Sequence, residues 1–382
     1  MYFSKGLQKF SENSLLQRIT PMLRHTYGVL LILVVNIGFG QKQEIASGPL
    51  SSSGINAKKI AALVDSIARG IYPNRHSLLI FKDNKLVLEK YFKGKDELWG
   101  DDLGIVQHSE TLLHDMRSVS KSVVSACIGI AIAQGKIKSV DEKIFDFFKE
   151  YQQYRNEGRE QLTIRHFLTM TSGLKWNENV PYDNPENSEI QMNRSSDPAK
   201  FVLSQPLIHS PGKVWNYNGG TTEILARIVE KSTGKDVHEF AKEFLFAPLG
   251  IANSYWSGYN TPAAASGLRL TSRDALKFGI LYLQNGKWQN KQIIPEQYVK
   301  ESTTTHIGVD DTAGYGFQFW IITETINGKA LTWSTAIGNG DQRIFIDQKN
   351  NIIVVMTAGN YNQWDIKFDS GAIMRSIYKA VE

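Results

Sequence analysis

Residues 117–134 are almost entirely apolar beyond their first turn, and this segment limits what the chain can become. A helix that is apolar on every side cannot lie on a surface and has to be wrapped by other elements. At 382 residues and 42% hydrophobic composition, the chain is long enough to wrap it. The polar first turn, Ser118-Val119-Ser120-Lys121, then falls at the rim of that body. Cys127, the only cysteine, lies nine residues after Ser118 and so on the opposite face of the helix. Its spacing favours core packing, and a single cysteine excludes an intrachain disulfide.

Around this helix the sequence separates into three stretches. Residues 57–70 carry apolar positions at helical spacing and end at Gly70; residues 77–82 and 85–92 are β-prone runs joined by Asp83-Asn84, which is hairpin chemistry. Residues 94–114 show no periodicity. From residue 117 to about 250 the pattern is helical, with helices expected at 163–170, 197–204, 219–233 and 236–246, followed by a pair at 271–285 and 295–304. The C-terminal part reads as strands near 315–322, 329–334, 341–347 and 351–358, then a helix at about 365–380. The simplest architecture is a mixed α/β (α+β) fold. One antiparallel sheet is flanked by the N- and C-terminal helices, and an all-helical lobe, roughly residues 117–310, is inserted into it. The groove between the two lobes suits a small-molecule site.

The leader is distinct from this body. Residues 27–40 form an apolar run preceded by Arg24 and His25 and followed by a Ser/Gly-rich stretch. This is the pattern of a signal peptide cleaved near Gly40-Gln41, with an uncleaved N-terminal anchor as the alternative and Met22 as an alternative start. The division expected is therefore 1–40 leader, 41–56 linker and 57–382 folded body, exported to the periplasm or secreted. Lys5, Lys9, Arg18 and Arg24 against Glu12 place three of the five net positive charges in the first 40 residues. The body is near neutral and lacks the basic stripe that a nucleic-acid partner requires. The membrane is a partner only through the anchor alternative.

Ser-x-x-Lys occurs five times, at Ser118, Ser172, Ser210, Ser232 and Ser376. Those at Ser172, Ser210 and Ser232 contain Gly or Pro between the two residues and sit in turns. Only Ser118 and Lys121 open a long apolar helix, where residues three apart share a face. A serine hydroxyl needs an adjacent base, and a lysine amine becomes one once burial favours its neutral form. The helix N-terminus adds positive potential near a nascent oxyanion. Downstream, Tyr217 lies at a loop-to-helix junction, from which it can reach a groove.

Taken together, Ser118 to Lys121, residues 162–174 (LTIRHFLTMTSGL) and residues 211–234 resemble the serine β-lactamase/penicillin-binding-protein superfamily, closest to its class C-related branch of esterases and amidases. Pro248-Leu249-Gly250, Gly267-Leu268 with residues 271–274, and Tyr315-Gly316-Phe317 fall where that branch has such blocks. The resemblance implies Ser118 as nucleophile, Lys121 as proton acceptor and Tyr217 as proton relay. It also implies an oxyanion hole built from backbone N–H groups of Ser118 and of Ile337 and Gly338. Two departures stand out. Gly219 occupies the Asn position of the family's Tyr-x-Asn motif, and residues 336–342 (AIGNGDQ) replace its Lys-Thr-Gly strand. Arg343 is a candidate replacement cation, although an exposed strand charge is the commoner fate of such a residue. Trp176, Gly219, Asn339 and Arg343 are the substrate-contact candidates, and Trp333 lies in another segment expected to border the groove.

The remaining signals exclude other chemistries. There is no Gly-x-Ser-x-Gly elbow, His238-Glu239 lacks a second zinc-binding histidine, and the eight histidines do not cluster along the sequence. No metal, nucleotide or other cofactor is implied. The expected reaction is acyl transfer to water from a small ester, amide or peptide-like substrate. The rivals are a true β-lactamase or D,D-peptidase, and a non-turnover penicillin-binding sensor or decoy.

Overall fold

The computed structural model describes residues 45–259, 261–363 and 369–381. The apolar run at 27–40, and with it the expected cleavage site, lies outside the described residues.

An eight-stranded antiparallel sheet is the centre of the molecule. In spatial order its strands are Ile307–Gly308, Ala313–Tyr315, Trp320–Ile326, Lys329–Gly338, Gln342–Asp347, Ile352–Ala358, Arg75–Lys82 and Lys85–Tyr91. The N-terminal hairpin joins the C-terminal meander where Leu79 pairs with Val355. Its turn residues Asp83 and Asn84 both adopt left-handed φ values, 48° and 63°, the conformation of a two-residue hairpin turn that matches strand twist. The strand expected at 315–322 is in fact two strands, broken at Gln318, where φ is 62°.

Period-two alternation decides which face each apolar side chain takes. Leu78, Ile80, Val354 and Met356 pack with Ile60, Leu63, Ile373 and Ile377 of the terminal helices Ala57–Ala68 and Asp369–Tyr378. Leu79, Phe81, Ile353 and Val355 face the other way, into the larger core with Val119, Val123 and Phe278. Residues 45–56, expected to form a linker, belong to the sheet body. Gly48 N–H donates to the Leu86 carbonyl, and Ile55 is buried in a bridge with Val381.

The helix Val119–Ala133 packs against strand Lys329–Gly338 and helix Gly219–Thr233, and its residues from Val119 to Ala131 are all buried. Its serines are satisfied by neighbouring elements rather than by water: Ser122 Oγ donates to the Gln318 carbonyl at 2.6 Å, and Ser120 Oγ accepts from Leu268 N–H at 3.0 Å. The helices expected in the middle of the chain are present, Gly219–Thr233 at the expected bounds and the others with slightly shorter ones. Helix Ser272–Leu283 lies against strands of the sheet, so the inserted lobe returns to the sheet before it ends. The segment without periodicity holds a hairpin, Lys93–Leu98 with Asp101–Gln107, paired apart from the main sheet. Among the described residues no helix is long and apolar enough to cross a membrane.

Candidate active site

Ser118 caps the N-terminus of the buried helix and is half-buried. The residue before it, Arg117, has φ of 49°, a left-handed conformation that side chains seldom adopt without support from their surroundings. The support here is ionic and aromatic. The Arg117 guanidinium is paired with Glu97, lies 3.3 Å from Asp115 and stacks 4.6 Å over the Tyr361 ring. The chain therefore enters the helix at an angle held by three side chains, and that angle sets the direction of the Ser118 hydroxyl.

One turn along, Lys121 is 1% exposed, with Nζ 3.0 Å from Ser118 Oγ and 3.0 Å from the Ala265 carbonyl. Tyr217 immediately precedes Asn218, which caps helix Gly219–Thr233 by accepting from Thr221 N–H. The Tyr217 ring lies 5.0 Å from Lys121 Nζ, and its phenol interacts with both Ser118 and Lys121. Ser118, Lys121 and Tyr217, far apart in sequence, thus meet at one point.

The electrostatics differ from the sequence expectation. Burial pushes the Lys121 amine down, but Tyr217, Glu189 and Glu178 outweigh it and raise the group to about 12. Burial by itself favours the neutral amine, as expected, and the Tyr217 phenol together with the two acidic side chains buried beside it opposes that. Glu178 is driven well above the usual carboxylate range, first by burial and then by Glu189. It accepts from Trp176 Nε1 and from Gly219 N–H, each at 2.5 Å. Glu189 is buried too, and its Oε2 faces the Glu178 carboxyl with no hydrogen-bond donor among the described residues. Burial likewise raises Tyr217, partly opposed by Lys121.

Gly219 explains how the acidic pair fits. A Cβ there would stand 2.6 Å from Glu189 Oε2 and 3.2 Å from Glu178 Oε2. Absence of a side chain at the motif's Asn position therefore makes room for a carboxylate. The sequence carried this signal only as a departure from pattern, and neither glutamate was singled out.

The other candidates separate into two groups. Gly338 closes strand Lys329–Gly338 against the segment before Ser118, where a Cβ would lie 2.2 Å from the Met116 carbonyl, and half-buried Ile337 precedes it. Asn339 is tied to Asn362, donating to its Oδ1 at 2.7 Å and accepting from its N–H at 2.9 Å. Arg343 is buried rather than exposed on the strand. Its guanidinium binds Asp341 at 2.7 Å and the carbonyls of Gln342 and Gly338 at 2.9 and 3.2 Å. Trp176 is buried beneath Gly220 and edge-on to Phe201. Trp333 does not border the groove. It stacks on Tyr378 in the core shared with the terminal helices. The aromatic wall beside Tyr217 is formed instead by Trp320 and Trp215, with ring centroids 6.1 and 6.3 Å away.

Three of the histidines, scattered along the sequence, nevertheless cluster in space. His76, His108 and His114 converge around Asp96, with one ligand-type atom from each of the four residues lying within 4.8 Å of the others. Separations of 20, 12 and 6 positions along the chain concealed this group.

Comparison with known proteins agrees with this architecture. The β-lactamase family profile matches residues 76–374, and the chain belongs to that family. An uncharacterized protein of Alkalihalophilus pseudofirmus is 25% identical over 282 residues, spanning 68% of this chain and 72% of the relative. Among solved structures, a putative 6-aminohexanoate-dimer hydrolase from Bacillus anthracis superposes with a TM-score of 0.67 at 19% identity, covering 89% of each chain. EstCE1, described as a hydrolase with promiscuous acyltransferase activity, superposes at 0.66 with 16% identity, covering 85% of this chain and 98% of its own. The fold is that of the β-lactamase-like and penicillin-binding-protein-like hydrolases.

Proposed function

We propose that the chain is an exported serine hydrolase that cleaves a small ester or amide through an acyl-enzyme on Ser118. The observation that carries this reading is the 3.0 Å contact between Lys121 Nζ and Ser118 Oγ at the mouth of a buried helix, with Tyr217 against both. Ser118 Oγ attacks the acyl carbonyl while its proton passes to the Lys121–Tyr217 pair, and Tyr217 returns a proton to the departing alcohol or amine. The oxyanion faces the N–H groups of Ser118 and of the 337–338 strand end. Water then attacks the ester of Ser118 by the reverse proton route. Because the Lys121 ammonium is the favoured resting form, the fraction able to accept a proton grows with pH, and kcat/KM should rise through the alkaline range.

The 336–342 segment supports esters over β-lactams, since Arg343, the nearest candidate for the missing lysine, is engaged by Asp341. A charge-assisted hydrogen bond contributes roughly 1.5–3 kcal/mol, so substrates that depend on a carboxylate contact lose about one to two orders of magnitude in relative kcat/KM. The deciding experiment combines intact-mass detection of a Ser118 adduct with kcat/KM for p-nitrophenyl butyrate and nitrocefin. Turnover of the ester with a transient adduct is expected. Efficient nitrocefin turnover with poor ester hydrolysis would make the chain a β-lactamase, and a lasting adduct without turnover would make it a sensor or decoy. Export predicts a mature N-terminus near Gln41, which N-terminal sequencing of the native protein reads.

A further inference from the structure

The cluster on the far side of the nucleophile segment has no part in the chemistry above. His76 comes from the inner strand of the N-terminal hairpin, Asp96 from the Lys93–Leu98 strand, His108 from the end of the Asp101–Gln107 strand, and His114 from four residues before Ser118. All four are at most 5% exposed. His76 Nδ1 lies 2.8 Å from His114 Nε2 and 3.9 Å from Asp96 Oδ1. His114 Nε2 is 3.7 Å from Asp96 Oδ1, and His108 Nε2 is 4.0 Å from Asp96 Oδ2.

The surroundings fix the tautomers. His114 Nδ1 faces the Asp115 carbonyl at 3.0 Å, so that nitrogen carries the proton and Nε2 turns a lone pair inward. His76 Nε2 faces Asn74 Oδ1 at 3.4 Å, and the Asn74 amide is oriented by donating to the Lys95 carbonyl and accepting from Lys95 N–H. The His76 proton therefore sits on Nε2, and its Nδ1 lone pair also points inward. Two lone pairs then face each other across 2.8 Å, beside a buried carboxylate whose one described donor is the Tyr361 hydroxyl. His108 Nε2 is buried with no partner. A divalent cation satisfies all four groups at once.

We propose that His76 Nδ1, Asp96, His108 Nε2 and His114 Nε2 form a closed structural zinc site that anchors the 93–107 hairpin and the nucleophile segment to the sheet. Three neutral imidazoles and one carboxylate match zinc's ligand preference. Tetrahedral coordination at about 2.0–2.1 Å needs inter-ligand distances of about 3.3 Å, reached from the present spread by small side-chain shifts. Acceptors on the outer nitrogens of His76 and His114 are the second-shell arrangement of metal-bound histidine. Four protein ligands leave no open position for substrate or water, so the metal's role is mechanical. It joins residue 76 to residue 114 across a hairpin whose Leu103 and Ile105 are exposed, a segment that buries little apolar surface to hold itself in place.

The test uses the full chain expressed in zinc-supplemented medium, with metal content measured by plasma mass spectrometry and thermal unfolding followed with and without 1,10-phenanthroline. About one zinc per wild-type chain is expected, and chelation should lower the melting temperature by more than about 5 °C. His108→Ala and Asp96→Asn should lose the metal and its chelator sensitivity. Because a variant can fail to fold, wild-type protein refolded with cobalt supplies a second readout, the visible absorption of four-coordinate cobalt. Retention of a full metal equivalent by both folded variants would overturn the proposal. So would wild-type protein holding less than about 0.1 equivalent, with no cobalt spectrum and a chelator-insensitive melting curve.

Discussion

Two buried polar clusters flank Ser118, and they handle charge in opposite ways. In the Lys121 cluster, acids and base are buried together, and the lysine is raised to about 12 by Tyr217, Glu189 and Glu178 despite its burial. In the histidine cluster, burial dominates and holds all three imidazoles below their usual value. The first arrangement keeps a mobile proton among neighbours able to exchange it. The second removes protons and leaves lone pairs. Low dielectric strengthens whichever partner is present, so the sign of the shift follows from what is buried alongside the group rather than from burial alone.

Substitutions can break or sharpen this contrast. The largest effect expected is from Ser118→Ala, which should reduce ester turnover to background and abolish the acyl adduct in intact-mass spectra while leaving the melting curve in place. Wild-type turnover in that variant would remove the nucleophile assignment. Lys121→Ala and Tyr217→Phe should each lower kcat by on the order of 10²-fold or more, the range of lost acid–base catalysis, read from steady-state kinetics.

Glu189→Gln is the sharper probe of the acidic cluster. Removing a carboxylate that raises Lys121 should lower the lysine's pKa from about 12, moving the alkaline limb of kcat/KM to lower pH. A folded His108→Ala protein should show the wild-type pH profile, because that cluster stands outside the proton path. A limb that moves in His108→Ala and stays put in Glu189→Gln would reverse the roles assigned to the two clusters.

The smallest effect concerns the space at Gly219. Gly219→Ala places a Cβ 2.6 Å from Glu189 Oε2, an overpacking that costs about 1–3 kcal/mol. Chemical denaturation should show this loss, and adding Glu189→Ala should recover part of it. Independent, additive losses would mean that the glycine does not make room for the carboxylate.

The outline of the fold, and the three side chains that meet at Ser118, were legible in the sequence. The apolar helix after Ser118, the Asp83-Asn84 turn and the placement of Tyr217 before a capped helix are local signals, each written within a few residues. The long apolar helix they open also selected Ser118 and Lys121 from the other Ser-x-x-Lys matches, because helical geometry is set by neighbours in sequence. Tertiary structure decided the rest. Glu178 and Glu189 reach Lys121 through a loop and a short helix, and their effect on its charge depends on a shared low-dielectric volume. The strand at 75–82, a hairpin without periodicity and the entry to the nucleophile helix bring His76, Asp96, His108 and His114 together, residues with no common spacing. Trp333 faced the terminal helices, and Arg343 turned inward to Asp341, because strand register determines which face a side chain takes and the sequence around each allowed either. Periodicity encodes an element and its buried side, whereas a polar cluster forms where several elements cross, and its protonation is a property of that crossing.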